Sequence, residues 1–269
     1  MRPRLLCLAL LAPVVACADD GSAAASAAQA SDAASTTAAS SSTGASESDT
    51  SSATAAGDVV EVQGDAFAFG PGTRVAGATV TILERPEQTA TTDADGHFVF
   101  PALPAGAAAT FVFNRAGYPT LYTRTFTLPA DGALERVTFQ APDDATFAAL
   151  AQLVEITPDP ATCQIASTVT RVGKSLYDAG AHGEAGATVT ITPSLPPEHG
   201  PIYFNADVVP QRDLVETSAD GGILYTNVPP GDYVLTASKA GVDFEAVTLR
   251  CDADVLVNPS PPFGLQALP

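Results

Sequence analysis

The sequence predicts an all-β fold: two tandem antiparallel β-sandwiches joined by a short helix. Three observations carry that expectation. The hexapeptide Gly77-Ala78-Thr79-Val80-Thr81-Ile82 returns unchanged as Gly186-Ala187-Thr188-Val189-Thr190-Ile191. Three landmarks follow each copy in the same order. Thr92-Asp93-Ala94-Asp95-Gly96, Leu103-Pro104-Ala105-Gly106 and Arg115-Ala116-Gly117 follow the first. Thr217-Ser218-Ala219-Asp220-Gly221, Val228-Pro229-Pro230-Gly231 and Lys239-Ala240-Gly241 follow the second. An internal repeat of this kind marks a duplicated supersecondary unit. Between the landmarks lie short β-branched and aromatic runs bounded by Gly and Pro, the pattern of a sandwich.

Residues 1–16 read as a signal peptide. Arg2 and Arg4 supply the positive start, and residues 5–15 an apolar run too short to span a bilayer. The run closes on Val14-Val15-Ala16-Cys17, which resembles a bacterial lipobox, so Cys17 is expected to be the lipidated residue of the mature chain. Residues 17–57 are expected to form a tether. From Ala18 on they are almost wholly Ala, Ser, Thr, Gly and Asp, without an aromatic or branched aliphatic residue. Such a segment buries too little apolar surface to offset its chain entropy. As a coil it would reach roughly 35 Å, and its hydroxyls could carry sugar. With 12 Lys and Arg against 30 Asp and Glu the chain carries a net −18, and loss of Arg2 and Arg4 takes it to about −20. That acidity argues against nucleic acid or an anionic lipid surface as direct partners.

The first module is expected over residues 58–141. Its strands are read at 59–69, 78–83, 97–100, 110–113, 121–128 and 134–139, with Asp95-Gly96 as a hairpin turn. Residues 142–160 form a helical linker: Asp143 or Asp144 caps a helix, Phe147, Leu150, Leu153 and Val154 give its apolar stripe, and Thr157-Pro158-Asp159-Pro160 ends it. The second module is expected over 161–258, with strands at 165–171, 187–192, 202–208, 223–226, 233–238 and 244–249. It carries about sixteen extra residues between its repeated strand and its Asp-Gly turn, among them His199 and Tyr203. Residues 259–269 read as an irregular tail. Of the four cysteines, Cys7 leaves with the leader and Cys17 is the anchor. Cys163 and Cys251, at the front and back of the second module, are expected to pair in an exported compartment. No CxxC or paired His suggests zinc.

The order GATV, T-x-x-DG, L/V-P-x-G and [KR]-A-G resembles the carboxypeptidase regulatory-like domains, small transthyretin-like sandwiches. Both copies carry it, over about two thirds of the chain. The resemblance implies seven antiparallel strands per module and no catalysis. Such domains serve as spacers or accessory modules of exported proteins, and some relatives bind carbohydrate. The landmark glycines Gly77, Gly96, Gly186 and Gly221 are turn residues in that pattern and carry no functional role over.

The sequence offers little chemistry. A zinc peptidase needs His-x-x-Glu, and none of His97, His182 or His199 has it. Intradiol dioxygenases share the fold and hold iron with two Tyr and two His. Tyr177, His182, His199 and Tyr203 supply the residue types without the spacing. Asp93-Ala94-Asp95-Gly96 begins like a calcium loop but lacks the closing Glu. With no Trp, sugar stacking would fall to tyrosines. Tyr118 and Tyr122 have the parity to share a face, and His199 and Tyr203 lie in the insertion. The reading is a non-enzymatic, lipid-anchored cell-envelope protein without cofactors. Tandem modules would make structural or adhesive contacts with a glycan or an envelope protein, at the outer membrane or cell surface. The alternatives are a carbohydrate-binding surface module and, behind it, a metal-dependent enzyme built on the insertion.

Overall fold

The computed structural model describes residues 58–269, apart from Pro71 and Pro261. The leader, Cys17 and the tether lie outside the described residues. Residues 58–269 fall within one compact unit. It is mostly β, with sixteen strands and a single α-helix among the described residues. No described helix is long and apolar enough to cross a membrane.

The first half contains β1 (Val59–Ala68), β2 (Thr79–Ile82), β3 (Arg85–Thr91), β4 (His97–Pro104), β5 (Ala108–Asn114), β6 (Thr120–Thr127) and β7 (Ala133–Ala141). β1 alternates buried and half-buried positions because its Val60, Val62 and Ala66 face a core, at the period of two that a strand imposes. A small sheet in the order β4-β1-β7 packs over β3, β2, β5 and β6. Between the layers lie Val80, Ile82, Phe98, Phe100, Phe111 and Phe139. Not every pairing is antiparallel: β7 runs parallel to β1.

Helix α1 (Asp144–Leu153) follows β7. Asp143 is its N-cap, and its carboxylate accepts the Thr146 amide at 2.7 Å. Leu153 is 57% exposed, so the inward stripe is Phe147, Leu150, Ala151 and Val154.

The second half holds β8 (Cys163–Thr170), β9 (Thr188–Thr192), β10 (Ile202–Phe204), β11 (Pro210–Gln211), β12 (Gly222–Val228), β13 (Gly231–Ser238), β14 (Val247–Cys251), β15 (Val255–Val257) and β16 (Leu265–Gln266). It has nine strands where the resemblance implies seven. The insertion contributes β10 and β11, and the chain end contributes β15 and β16. A second small sheet, β14-β13-β9, packs over β8 and β12. Cys163 and Cys251 are joined by a disulfide, with Cα atoms 5.7 Å apart.

The halves share one sheet. Nine strands stand in a row, β11-β10-β12-β8-β15-β6-β5-β2-β3, with β16 beside the far end of β8. The join is β15, parallel to both β6 and β8. Its Val255 and Val257 enter the second core while Leu256 enters the first. Val112 and Tyr122, from the first half, lie in the second core. The expected irregular tail is also part of the fold. Leu265 and Ala267 are buried, and the Ala267 amide donates to the Thr170 carbonyl at 2.8 Å.

The repeated turns have repeated hydrogen bonds. In the first, the Thr92 hydroxyl accepts the Ala78 amide at 2.9 Å and donates to the Val75 carbonyl at 2.8 Å. In the second, the Thr217 hydroxyl accepts the Ala187 amide at 2.9 Å and donates to the Glu184 carbonyl at 2.6 Å. Gly96 and Gly221 each hold positive φ and offer their carbonyls to the amides of Ala66 and Val169, at 2.8 and 2.9 Å. A Cβ at Gly221 would meet the Val169 carbonyl at 2.3 Å, so the site requires glycine. The Asp95-Gly96 turn differs from the expected hairpin in one respect. β3 pairs with β2 and β4 with β1, so the turn carries the chain from one layer to the other.

Candidate functional site

The four residues singled out as ligand candidates do not form one site. Tyr203 sits on β10, 3% exposed, and its hydroxyl accepts the Val189 amide at 2.9 Å. The Tyr225 hydroxyl donates to the Val189 carbonyl at 3.3 Å. Among the described residues β9 pairs only with β13, so the two hydroxyls cover its open edge. Burial raises the pKa of both phenols, and for Tyr203 the Glu216 carboxylate adds to the rise. Tyr203 is therefore an edge plug and not a stacking platform.

Tyr122 is 8% exposed and lies in the second core. Its hydroxyl donates to Asp252 Oδ2 at 3.3 Å, and burial followed by that carboxylate raises its pKa. Tyr118 precedes β6 and packs against the first core. The parity argument fails because Tyr118 lies in the turn before the strand, where alternation does not apply. The His199 Nδ1 lies 2.8 Å from the Thr226 carbonyl, a contact that ties the ring to β12. Among the described residues, no three His, Cys, Asp or Glu side chains gather as a metal-binding group.

Tyr118 alone of the four lines a shallow surface depression, and the repeated landmarks build it. Its floor is Gly77 and Thr79 at the start of β2, and its wall is Asn114, Arg115 and Ala116 in the [KR]-A-G turn. The ring stands edge-on to Phe113, centroids 5.8 Å apart. Arg115 holds its guanidinium 5.6 Å from the ring centroid. The Thr120 hydroxyl donates to Asn114 Oδ1 at 3.0 Å. An aromatic ring, a guanidinium, an amide and hydroxyls in one concavity suit a polyhydroxylated ligand, provided the exposed Arg115 moves off the ring. The second copy lacks the arrangement. Val242 stands at the place of Tyr118, and Lys239 is engaged by Glu184 and by the Ala185 carbonyl. Sequence reasoning missed Asn114 and Arg115. The available signal was Arg115-Ala116-Gly117-Tyr118 against Lys239-Ala240-Gly241-Val242, where the two copies differ.

A second polar group spans the halves. The Tyr177 hydroxyl donates to Asp65 Oδ2 at 3.0 Å and shares a hydrogen bond of 2.7 Å with Thr138. Asp65 also accepts from Arg74 at 2.9 Å. The Tyr177 ring meets Phe67 edge-on at 5.8 Å, and Arg136 lies 5.2 Å from its centroid. Burial pushes the Tyr177 pKa up to about 12. This loop residue latches the second half onto β1 and β7.

Residues 69–142 match the family model described as the carboxypeptidase regulatory-like domain. No curated protein matches the sequence. Among solved structures, the chain is similar to the TIE protein of Bacillus anthracis at 13% identity, covering 77% of this chain and 34% of that one, with a TM-score of 0.26. The chain thus spans about a third of that protein's structure. It is also similar to a minor pilin of Streptococcus agalactiae at 13% identity, covering 78% and 97%, TM-score 0.25. A putative carbohydrate-binding protein of Bacteroides uniformis is 10% identical over 71% and 96%, TM-score 0.26.

Proposed function

We propose that the chain is a non-enzymatic, lipid-anchored cell-envelope protein that presents two copies of a carboxypeptidase regulatory-like sandwich for structural or adhesive contacts. The observation that carries this reading is β15, which makes one sheet of two cores. A continuous sheet, the Tyr177 latch and the ion pair of Arg124 with Glu245 favour a stiff body over two independently moving modules. The match over residues 69–142 supports the first copy. The matching hydrogen bonds of Thr92 and Thr217 support a second over 161–258, with 58–141 and 142–160 as the first module and the linker. The lipid anchor rests on Val14-Val15-Ala16-Cys17. Ala18 in place of an aspartate after Cys17 favours the outer membrane or cell surface over the inner membrane.

The test is expression of the full chain, leader included, in a bacterium fed labelled palmitate. Label and membrane fractionation should both be lost in Cys17→Ser. Label on the Cys17→Ser chain, or none on the parent, contradicts the anchor. The Tyr118 depression favours a second reading, in which the contact is with a glycan. Saturable binding to a peptidoglycan or glycan panel that disappears in Tyr118→Ala supports it, and equal binding by both chains removes it.

A further inference from the structure

The α1 stripe and the sheet beneath it do not fill the space between them. Phe147 and Leu150 point inward at helical spacing with Ala151 and Val154, yet both stay half-exposed. Across the gap, Phe69, Ala166 and Leu224 are also half-exposed. Two apolar faces normally bury such residues by interdigitation. Here the small side chains of Ala151 and Ala166 line the space and leave a cavity of about 80 Å³. That exceeds the roughly 10–15 Å³ that one water needs.

The walls decide what the space can hold. No charged residue lines it. Of the polar lining residues, Gln164 is engaged at both ends by Asn227: its Nε2 donates to Asn227 Oδ1 and its Oε1 accepts the Asn227 amide, each at 2.9 Å. Asn258 Oδ1 accepts the Ser260 amide at 3.2 Å, and the Thr226 carbonyl is engaged by His199. The fourth polar lining residue is Gln140, and the other twelve of the sixteen are apolar, which favours an apolar occupant over an ordered water needing two to four polar partners.

The half-exposed lining leaves the space open to solvent beside the helix. α1 is tied to its surroundings at its ends: the Asp144 amide donates to the Gly117 carbonyl at 2.9 Å, and Arg212 Nε donates to the Val154 carbonyl at 3.2 Å. Beyond the C-terminal end, the cavity adjoins a polar groove that shares Val154 and Pro210 with it and adds Glu155, Arg212 and Asp213. Two carboxylates against one guanidinium disfavour an anionic head there.

We propose that the space between α1 and the shared sheet is a binding site for a small uncharged apolar ligand, a hydrocarbon ring or short alkyl group. Toluene is the probe, titrated into the mature full chain and followed by methyl NMR. Saturable shifts are expected at Leu150, Val154, Leu224 and Leu256, with Leu235 and Leu249 in the second core unmoved. Ala151→Phe, which fills the space, should weaken toluene binding at least tenfold without lowering the Tm. Ala166→Leu serves the same purpose should Ala151→Phe fail to fold. The proposal is overturned by shifts that never saturate, by shifts spread evenly over both cores, or by unchanged affinity in the filled variant. Shifts that track self-association of the protein overturn it equally.

Discussion

Replacing Thr92 or Thr217 by Val removes one hydroxyl and keeps the side-chain shape. Both threonines are 3% exposed. Each variant strands the same two backbone groups: the amide just before a strand (Ala78 or Ala187) and a loop carbonyl (Val75 or Glu184). A buried donor without a partner costs about 1–3 kcal/mol, and a carbonyl is the more forgiving of the two. Each variant should therefore lose about 2 kcal/mol, a Tm fall of roughly 4–8 °C for a unit of this size. Thr→Ser at either site keeps both hydrogen bonds and should lose about 0.8 kcal/mol, the worth of one buried methyl-sized group. Urea unfolding of the four variants gives the comparison directly. The reasoning predicts equal losses at the two sites to within about 0.5 kcal/mol, the scatter expected of independent positions. A full loss at one site and almost none at the other would refute it: the letters would then be repeated without the chemistry.

Four further outcomes follow from the packing. Leu256→Ala should cost about 3 kcal/mol, within the range for buried leucines. Because Leu256 fills the first core from a second-half strand, hydrogen exchange should rise in both halves; a rise confined to one contradicts the shared sheet. At Gly64 on β1, a Cβ would lie 1.9 Å from the Val137 carbonyl and 2.3 Å from the Phe98 ring, so Gly64→Ala should cost more than about 3 kcal/mol. Adding Phe98→Leu should not rescue it, because the backbone clash remains. Replacing Cys163 and Cys251 by Ser should lower stability by about 2–5 kcal/mol in urea melts; a loss under about 1 kcal/mol would show the crosslink to be idle. For Tyr177, the unfolded chain loses its phenolic proton near pH 10 and the folded chain near 12. The contribution of its protonated form is therefore complete below about pH 10 and declines as pH rises through 12. Urea midpoints measured from pH 8 to 11 should fall less steeply in Tyr177→Phe than in the parent, and identical slopes contradict the latch.

What was legible in the sequence is what local chemistry dictates. The turn glycines, the Asp143 cap and the alternating β1 strand need only their neighbours to be read. The pairing of Cys163 with Cys251 followed from their places at the two ends of one module. β3 was illegible because Arg85-Pro86-Glu87-Gln88 is polar and contains proline; it is a strand only because β2 offers it an edge. β15 and β16, of three and two residues, carry no periodicity at all. Their place between or beside strands distant in sequence is decided by packing. The tyrosines show the same limit. Residue type suggested stacking platforms, but whether a phenol faces solvent or plugs an edge, as Tyr203 does at Val189, depends on partners that spacing does not reveal. The Tyr118 depression joins Gly77 and Thr79 to residues 114–120, segments that only the fold brings together.

Native-state hydrogen exchange along a urea series addresses the shared sheet most directly. One global unfolding isotherm should collect the slowest amides of both β5 and β13, from the first and second cores, at the same free energy. Separate isotherms for the two cores, differing by more than about 1 kcal/mol, would show that β15 merely touches two independent sandwiches.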